Sequence, residues 1–287
     1  MGDVLRTTPI LRELNGEITW VTHEESIPLI AANPYITRII PSERCEEIRN
    51  INFDLVLNLD DDIEAAQIVF KVQKSRLVGA YMNADGRLTY TEDAAKWFDM
   101  GLISKYGLTR ANELKKLNKR TYQEFLFEML GFQFRGQEYL LPRPKNQKKP
   151  AKNAKIIGVE TQAGERWHLK KWDKYDELIQ LLVKDGYNVK VFNQRDTLLH
   201  YIDDIDNCEL LVTGDTLCMH IGIALEKKVI AIFGPTSAEE IYDYGRVYKI
   251  VSPLDCVKCY KRECIYNPNC MQVIPAKTVY EKIKSLI

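Results

Sequence analysis

The sequence predicts an α/β protein made of two halves with parallel sheets, and three observations carry that expectation. The first is the stretch LLVTGDTLCMHIGIALEKKVIAIFGPT, Leu210 to Thr236. Leu210–Val212 end a buried, β-prone run at Gly214 and Asp215. Leu217, Ile221, Ala224 and Leu225 then recur at helical spacing, and Val229–Phe233 form a second buried strand. A strand, helix and strand of this kind make a right-handed parallel crossover, whose loops at the strands' carboxyl ends are where such sheets bind ligands. The second observation is length: 287 residues suit two domains of about 100–150 residues each. The third is LPRPKNQKKPAKNAK, Leu141 to Lys155, with three prolines, six basic residues, no acid and no periodicity. It reads as a solvated linker. The expected division is a first domain over 1–142, a linker over 143–154 and a second domain over 155–287.

The chain opens with MGDVLRTTPILREL, where Thr8-Pro9 resembles an N-cap followed by proline at the first helical position. No strand precedes this start, so the first sheet is expected to lack its first strand. Strands are then expected at Glu17–Thr22, Arg38–Ile40, Leu55–Leu59 and Leu77–Tyr81. Helices are expected at Pro28–Ala32, Ile63–Lys74 and Tyr122–Leu130, the last closed by Gly131. Asp60, Asp61 and Asp62 suit the capped start of the helix from Ile63 better than a cation-binding acid motif. In the second half, Ile156–Val159 and Val189–Phe192 are strands flanking a helix at Lys174–Lys184. Asp215 is the expected N-cap of the helix that begins near Leu217. Thr236 with Glu239, or Ser237 with Glu240, has the spacing of a capping box on a further helix, and a terminal helix closes the chain.

Lys plus Arg and Asp plus Glu number 40 each, so no global field points to nucleic acid or membrane. No apolar run approaches the roughly 20 residues that cross a bilayer, and the amino terminus has no secretory pattern. The expected location is cytoplasmic, with at most peripheral contact at the inner face of an inner membrane. The basic linker is the segment that would meet anionic headgroups.

The motifs GDVLRTTPILREL, ITWVTHEESIPLIAANPYITRIIP, FDLVLNLD and VTGDTLCMHIGIALEKKVIAIFGPTSAEEIYDYG, in this order, resemble the lipopolysaccharide heptosyltransferases, glycosyltransferase family 9. LDCVKCYKRECIYNPNCM is similar to the cysteine-rich variant of that family. The resemblance implies the GT-B architecture, two Rossmann-like domains facing a cleft. It also implies inverting transfer of heptose from ADP-heptose to a lipopolysaccharide core or similar glycan, with no cofactor required.

An inverting transfer is one in-line displacement. It needs a base for the acceptor hydroxyl and a means of stabilising the departing diphosphate. Asp3 matches the family's catalytic aspartate, Lys170 its phosphate-contacting lysine and His220 its histidine. Gly214, Asp215, Thr216, Leu217 and Cys218 form a helix amino terminus whose free N–H groups suit a diphosphate. Asp215 should point away from that anion, to cap the helix or bond a sugar hydroxyl. His220 is otherwise a core histidine on the apolar stripe, but its side chain leans toward the phosphate loop. Thr161 is a candidate hydroxyl donor and Arg166 a second cation.

Cys256, Cys259, Cys264 and Cys270 give C-x2-C-x4-C-x5-C, half a metal-knuckle signature. A structural zinc or iron and an unliganded loop are both open readings. Cys45, Cys208 and Cys218 read as small apolar residues. The segment after Val189–Phe192 is shorter than the family's nucleoside-binding one. A catalytically degenerate binding or scaffold protein and a sugar-nucleotide epimerase on the same fold therefore stay open beside the transferase.

Overall fold

A computed structural model describes residues 1–96, 101–142, 155–193 and 195–287, with the backbone alone at 95–96, 101–105 and 165–166. The expected linker lies outside the described residues. In chain order the elements are α1 (Gly2–Thr7), β1 (Thr19–Thr22), β2 (Arg38–Pro41), β3 (Asn52–Asn58), α2 (Ile63–Lys71), β4 (Gln73–Met82) and β5 (Leu88–Tyr90). There follow α3 (Gly101–Leu117), α4 (Tyr122–Met129), β6 (Ile156–Val159), α5 (Tyr175–Lys184), β7 (Asn188–Val191) and α6 (Leu198–Asp206). The last are β8 (Leu210–Gly214), α7 (Leu217–Ala224), β9 (Lys228–Phe233), β10 (Val247–Val251) and α8 (Ala276–Lys284).

The chain forms two compact units: Pro9–Ile27 with Pro34–Gln137, and Met1–Thr8 with Pro28–Asn33 and Glu138–Ile287. Residues 1–8, 28–33 and 138–142 thus group with the second half, not with the first as the sequence boundaries have it. The cause is local. Helix α1 packs on α7. At its end the Thr8 hydroxyl donates to Leu5 O at 2.7 Å and accepts from the Leu140 N–H at 2.8 Å, drawing both segments onto the second unit. Thr8 therefore caps no new helix. It sits where α1 passes directly into a 3-10 turn over Thr8–Arg12.

In the unit holding 9–27 and 34–137, β1 and β2 pair in parallel, as do β3 and β4, and β5 adds antiparallel to β4. Ile10, Val78, Ala80, Leu126 and Phe127 make its main core. The helix expected at 28–32 is a 3-10 turn over Glu24–Leu29, because Pro28 supplies no backbone donor. Helix α2 stops at Lys71, earlier than expected, as Val72 turns extended into β4. Its start is capped by Asp62, whose Oδ1 accepts from the Ala65 N–H at 2.7 Å, so this acid serves the helix as expected. Thr121 and Glu124 form a full capping box on α4.

The other unit carries one five-stranded parallel sheet in the order β10-β9-β8-β6-β7. Its strands are almost wholly apolar because helices cover both faces. Trp172, Leu178, Leu210, Val212, Ile230, Met271 and Ile283 are among the core residues. Gly222 lets α7 lie close on β8: a Cβ there would stand 2.5 Å from Leu211 Cδ1. Residues 234–245 form turns and bends, not the helix that the capping-box spacing suggested. Glu239 and Glu240 are used elsewhere, on Lys258 and on the Tyr260 hydroxyl. No helix among the described residues is long and apolar enough to cross a membrane.

Candidate functional site

Sheet order fixes where the second unit can bind a ligand. From β6 the chain moves outward to β7, then returns to place β8 on the other side of β6. The loops after β6 and β8 therefore leave in opposite directions, and the crevice between them is a topological switch point. Thr161 and Glu160 stand at the end of β6, and Gly214–Leu217 at the end of β8. Helix α7 starts at this point without a side-chain cap and presents the positive end of its dipole.

Thr216, not Asp215, is the N-cap, and its hydroxyl lies 2.9 Å from that of Thr213 instead of bonding the helix. Asp215 departs from the expected capping role because a cation has claimed it. Lys170 Nζ reaches its Oδ2 at 2.7 Å and its backbone carbonyl at 3.2 Å, with both side chains largely buried. Burial works against the carboxylate, but Lys170, His220 and the Thr236 hydroxyl overcome it and hold Asp215 down at about 2. Lys170 also lies 5.4 Å from the Trp167 ring centre.

The amino-terminal helix brings a second pair of charges to α7. Arg6 Nη2 meets Asp3 Oδ1 at 2.6 Å; the Asp3 side chain is 71 % exposed and that of Arg6 only 14 %. Above all the Arg6 guanidinium, assisted by His220, keeps Asp3 below the usual carboxylate range. Gly2 fits flat against the imidazole: a Cβ on it would be 2.9 Å from His220 Cδ2. His220 itself is 6 % exposed. Burial pushes it down to about 4, and the influences of Asp215 and Asp3 are opposed by those of Arg6 and Lys170. At neutral pH it is an uncharged ring. Tyr139 stacks on it at 6.1 Å and places its hydroxyl 3.4 Å from Nδ1.

Of the residues expected at the site, Asp3, Lys170, Asp215 and His220 thus form one coupled group beside the α7 terminus. Gly214, Thr216 and Leu217 line the turn. Cys218 contributes backbone only, since its side chain is fully buried and burial raises its thiol far above the usual range. Thr161 is half-buried and its hydroxyl accepts from Gln162 Nε2 at 3.2 Å. The Arg166 side chain lies outside the described residues. Arg6, Tyr139, Glu160 and Tyr201 were not anticipated. Arg6 was signalled by its i+3 spacing from Asp3 and Glu160 by its place just after a strand, while nothing local announced the two tyrosines.

Residues 195–269 match glycosyltransferase family 9 (heptosyltransferase). Over 114 residues the chain is 29% identical to lipooligosaccharide heptosyltransferase 2 of Campylobacter jejuni, covering 39% of this chain and 36% of that protein. These matches make part of the chain similar to the heptosyltransferases of glycosyltransferase family 9. The aligned region spans only about a third of that curated relative's length. The fold agrees along the whole chain. A family 9 glycosyltransferase from Veillonella parvula has a TM-score of 0.68 at 18% identity, over 99% of this chain and 93% of that one. E. coli heptosyltransferase WaaC, solved with ADP-2-deoxy-2-fluoro heptose, gives 0.61 at 16% identity, over 100% and 96%. The iron-containing dodecameric glycosyltransferase TibC from E. coli gives 0.52 at 12%, over 94% and 75%. The fold class is therefore the GT-B fold of the family 9 heptosyltransferases.

The cysteine-rich segment packs beneath the loop after β9. The Lys258 and Tyr260 N–H groups donate to Gly234 O and Pro235 O, both at 2.9 Å. Cys270 is buried under Gly234, where a Cβ would be 2.6 Å from its Sγ. Burial, then the neighbouring Cys259, Cys256 and Cys264, pushes the Cys270 thiol up to about 11. All four cysteines are free thiols. They are neighbours, yet among the described residues no three His, Cys, Asp or Glu side chains gather as metal ligands would.

Proposed function

We propose that this protein is an inverting glycosyltransferase that moves a heptose, or a related sugar, from an ADP-sugar to a lipopolysaccharide core or similar glycan. The observation that supports it is the grouping of Asp3, Arg6, Lys170, Asp215 and His220 beside the α7 amino terminus at the switch point. In this reading the first N–H groups of α7 and Lys170 hold the donor diphosphate and take up the charge that develops on it as the glycosidic bond breaks. Asp3, ionised and exposed, removes the acceptor's proton. Asp215, on the far side of Lys170, takes a donor hydroxyl. His220, neutral and wedged between α1 and Tyr139, fixes the position of Asp3 against α7. No divalent cation is required, since helix terminus and lysine supply the positive charge.

Relatives are known in complex with ADP and with an ADP-heptose analogue, and that favours ADP as the nucleotide. The test is a calorimetric panel of ADP, GDP, UDP and their sugars without added magnesium or manganese. ADP should bind best, and weakly, because the segment after β7 is short. Tighter UDP binding would assign another donor to the same fold. No binding by any nucleotide in folded protein would leave a catalytically inactive scaffold.

For Cys256, Cys259, Cys264 and Cys270 we propose a structural zinc or iron. Four thiols within one segment suit either metal, and TibC is an iron-containing neighbour in fold. Binding would require the three outer sulfurs to close on Cys270 and to lose their protons.

A further inference from the structure

Glu160 lies at the switch point and takes no part in the chemistry proposed above. It is the first residue after β6, 8 % exposed, and its own N–H closes the sheet by donating to Val212 O at 2.9 Å. The side chain turns back over the loop it begins. Oε1 accepts from the Gln162 N–H at 2.8 Å, and the Thr161 N–H also faces the carboxylate. Oε2 accepts from the Tyr201 hydroxyl of α6. Tyr201 is in turn fixed edge-on against Phe192 at 5.7 Å. Two successive backbone N–H groups turned to one point make an anion-binding concavity, and here a side chain of the protein already fills it.

We propose that Glu160 is an internal anion that closes the phosphate-binding pocket after β6, confining a diphosphate to the α7 terminus on the opposite wall of the crevice. This rests on the donor-site reading above and deepens it, by naming the residue that decides which of two neighbouring N–H clusters the diphosphate meets. Both clusters are built from backbone and both suit an oxyanion. If both were open, a diphosphate could lie across the crevice in two registers, only one of which sets the sugar beside Asp3. A fixed negative charge in one cluster removes the second register by occupation and by repulsion. Burial raises the Glu160 carboxyl above its ordinary value, opposed by the bonds from Tyr201, Gln162 and Thr161. The Tyr201, Gln162 and Thr161 donors each favour the ionised form against that burial.

Glu160 is thus a positioning residue, and the charge of its side chain is what the test must isolate. The probe is inorganic pyrophosphate, titrated calorimetrically into the full-length protein and into Glu160→Gln and Glu160→Asp, alongside ADP. Glu160→Gln keeps the size and removes the charge, so pyrophosphate should bind about tenfold more tightly, the order expected from removing one like charge several ångströms away. Glu160→Asp keeps the charge and should stay near the parent affinity. If loosening of the loop were the cause, both variants would change alike, and that result would overturn the proposal. So would a Glu160→Gln protein that is folded by circular dichroism yet binds pyrophosphate no better than the parent. A gain for pyrophosphate without ADP binding in any variant would keep the closed pocket and sink the donor reading. ADP binding to the parent with no gain in Glu160→Gln would do the reverse.

Discussion

Lowering the pH should destabilise the folded protein through His220, and the structure sets both the sign and the window. His220 titrates near 6.5 in an unfolded chain and near 4 here, because burial disfavours its charged form. Its charged neighbours do not decide the matter: Asp215 and Asp3 favour the imidazolium, Arg6 and Lys170 oppose it. Between those two values the unfolded state binds a proton that the folded state refuses, so stability must fall as the pH drops from about 6.5 to about 4. One pKa unit corresponds to about 1.4 kcal/mol, so the full drop is about 3 kcal/mol, a large fraction of the roughly 5–15 kcal/mol that a typical protein has. The assay is urea unfolding at a series of pH values, for the parent and for His220→Gln. The variant cannot take up this proton, so subtracting the two curves cancels the groups that do not interact with His220, including Glu160, whose raised value acts in the opposite direction. The difference should slope across pH 4–6.5 and be flat above 7. Parallel curves throughout would refute the reasoning and show that water reaches the ring in the folded state.

Three further outcomes are expected. Asp3→Asn should lower turnover by ~10²–10⁴-fold, the usual range for general base catalysis, with donor affinity nearly unchanged; equal loss of ADP binding in the same calorimetric panel would remove Asp3 from the chemistry. Lys170→Ala should weaken ADP by about 1.5–3 kcal/mol, the cost of a charge-assisted hydrogen bond, and should strand the Asp215 carboxylate, so that thermal melting also falls. Protein purified without chelator should carry about one zinc or iron per chain by elemental analysis, and Cys259→Ser should release it and lower the melting temperature. A metal-free parent of equal stability would leave the cysteines as the packing segment beneath Gly234.

The second sheet and the loops at its carboxyl edge were legible because their signals are local. Leu210–Gly214, the helix from Leu217 and the strand to Phe233 occupy nearly the places that periodicity gives them, and a Gly-Asp-Thr interruption between apolar runs marks a strand end in any context. What escaped was decided by contacts distant in sequence. Asp215 has the chemistry of an N-cap, but Lys170, 45 residues away, outbids the helix for it. Tyr139 lies 81 residues from the histidine it stacks on. The capping-box spacing at Thr236–Glu240 is real, yet Lys258 and Tyr260 engage both glutamates from the cysteine-rich segment. The grouping of 1–8 with the second unit follows from one helix of six residues finding its partner in α7, which no pattern within those six residues encodes.

Arg6 poses the sharpest question about the chemistry, since a cation 2.6 Å from the proposed base makes that base weaker. The cost is tolerable because of when the proton moves. An acceptor hydroxyl is a feeble acid until its oxygen has begun to bond the anomeric carbon, and it becomes a strong one as that bond forms. A carboxylate held low serves this late transfer and is ionised throughout the physiological range. Arg6 also holds the Asp3 side chain in one place on α1 through that ion pair. Arg6→Gln should then move the acidic limb of the kcat/KM profile to higher pH, because the carboxyl recovers part of its ordinary value. At neutral pH the same variant should lose turnover, since the carboxylate is no longer aimed. A variant with lower turnover and an unmoved acidic limb would show that Arg6 orients the base without tuning it. An unaltered rate and an unaltered limb together would mean that the pair has no part in the reaction.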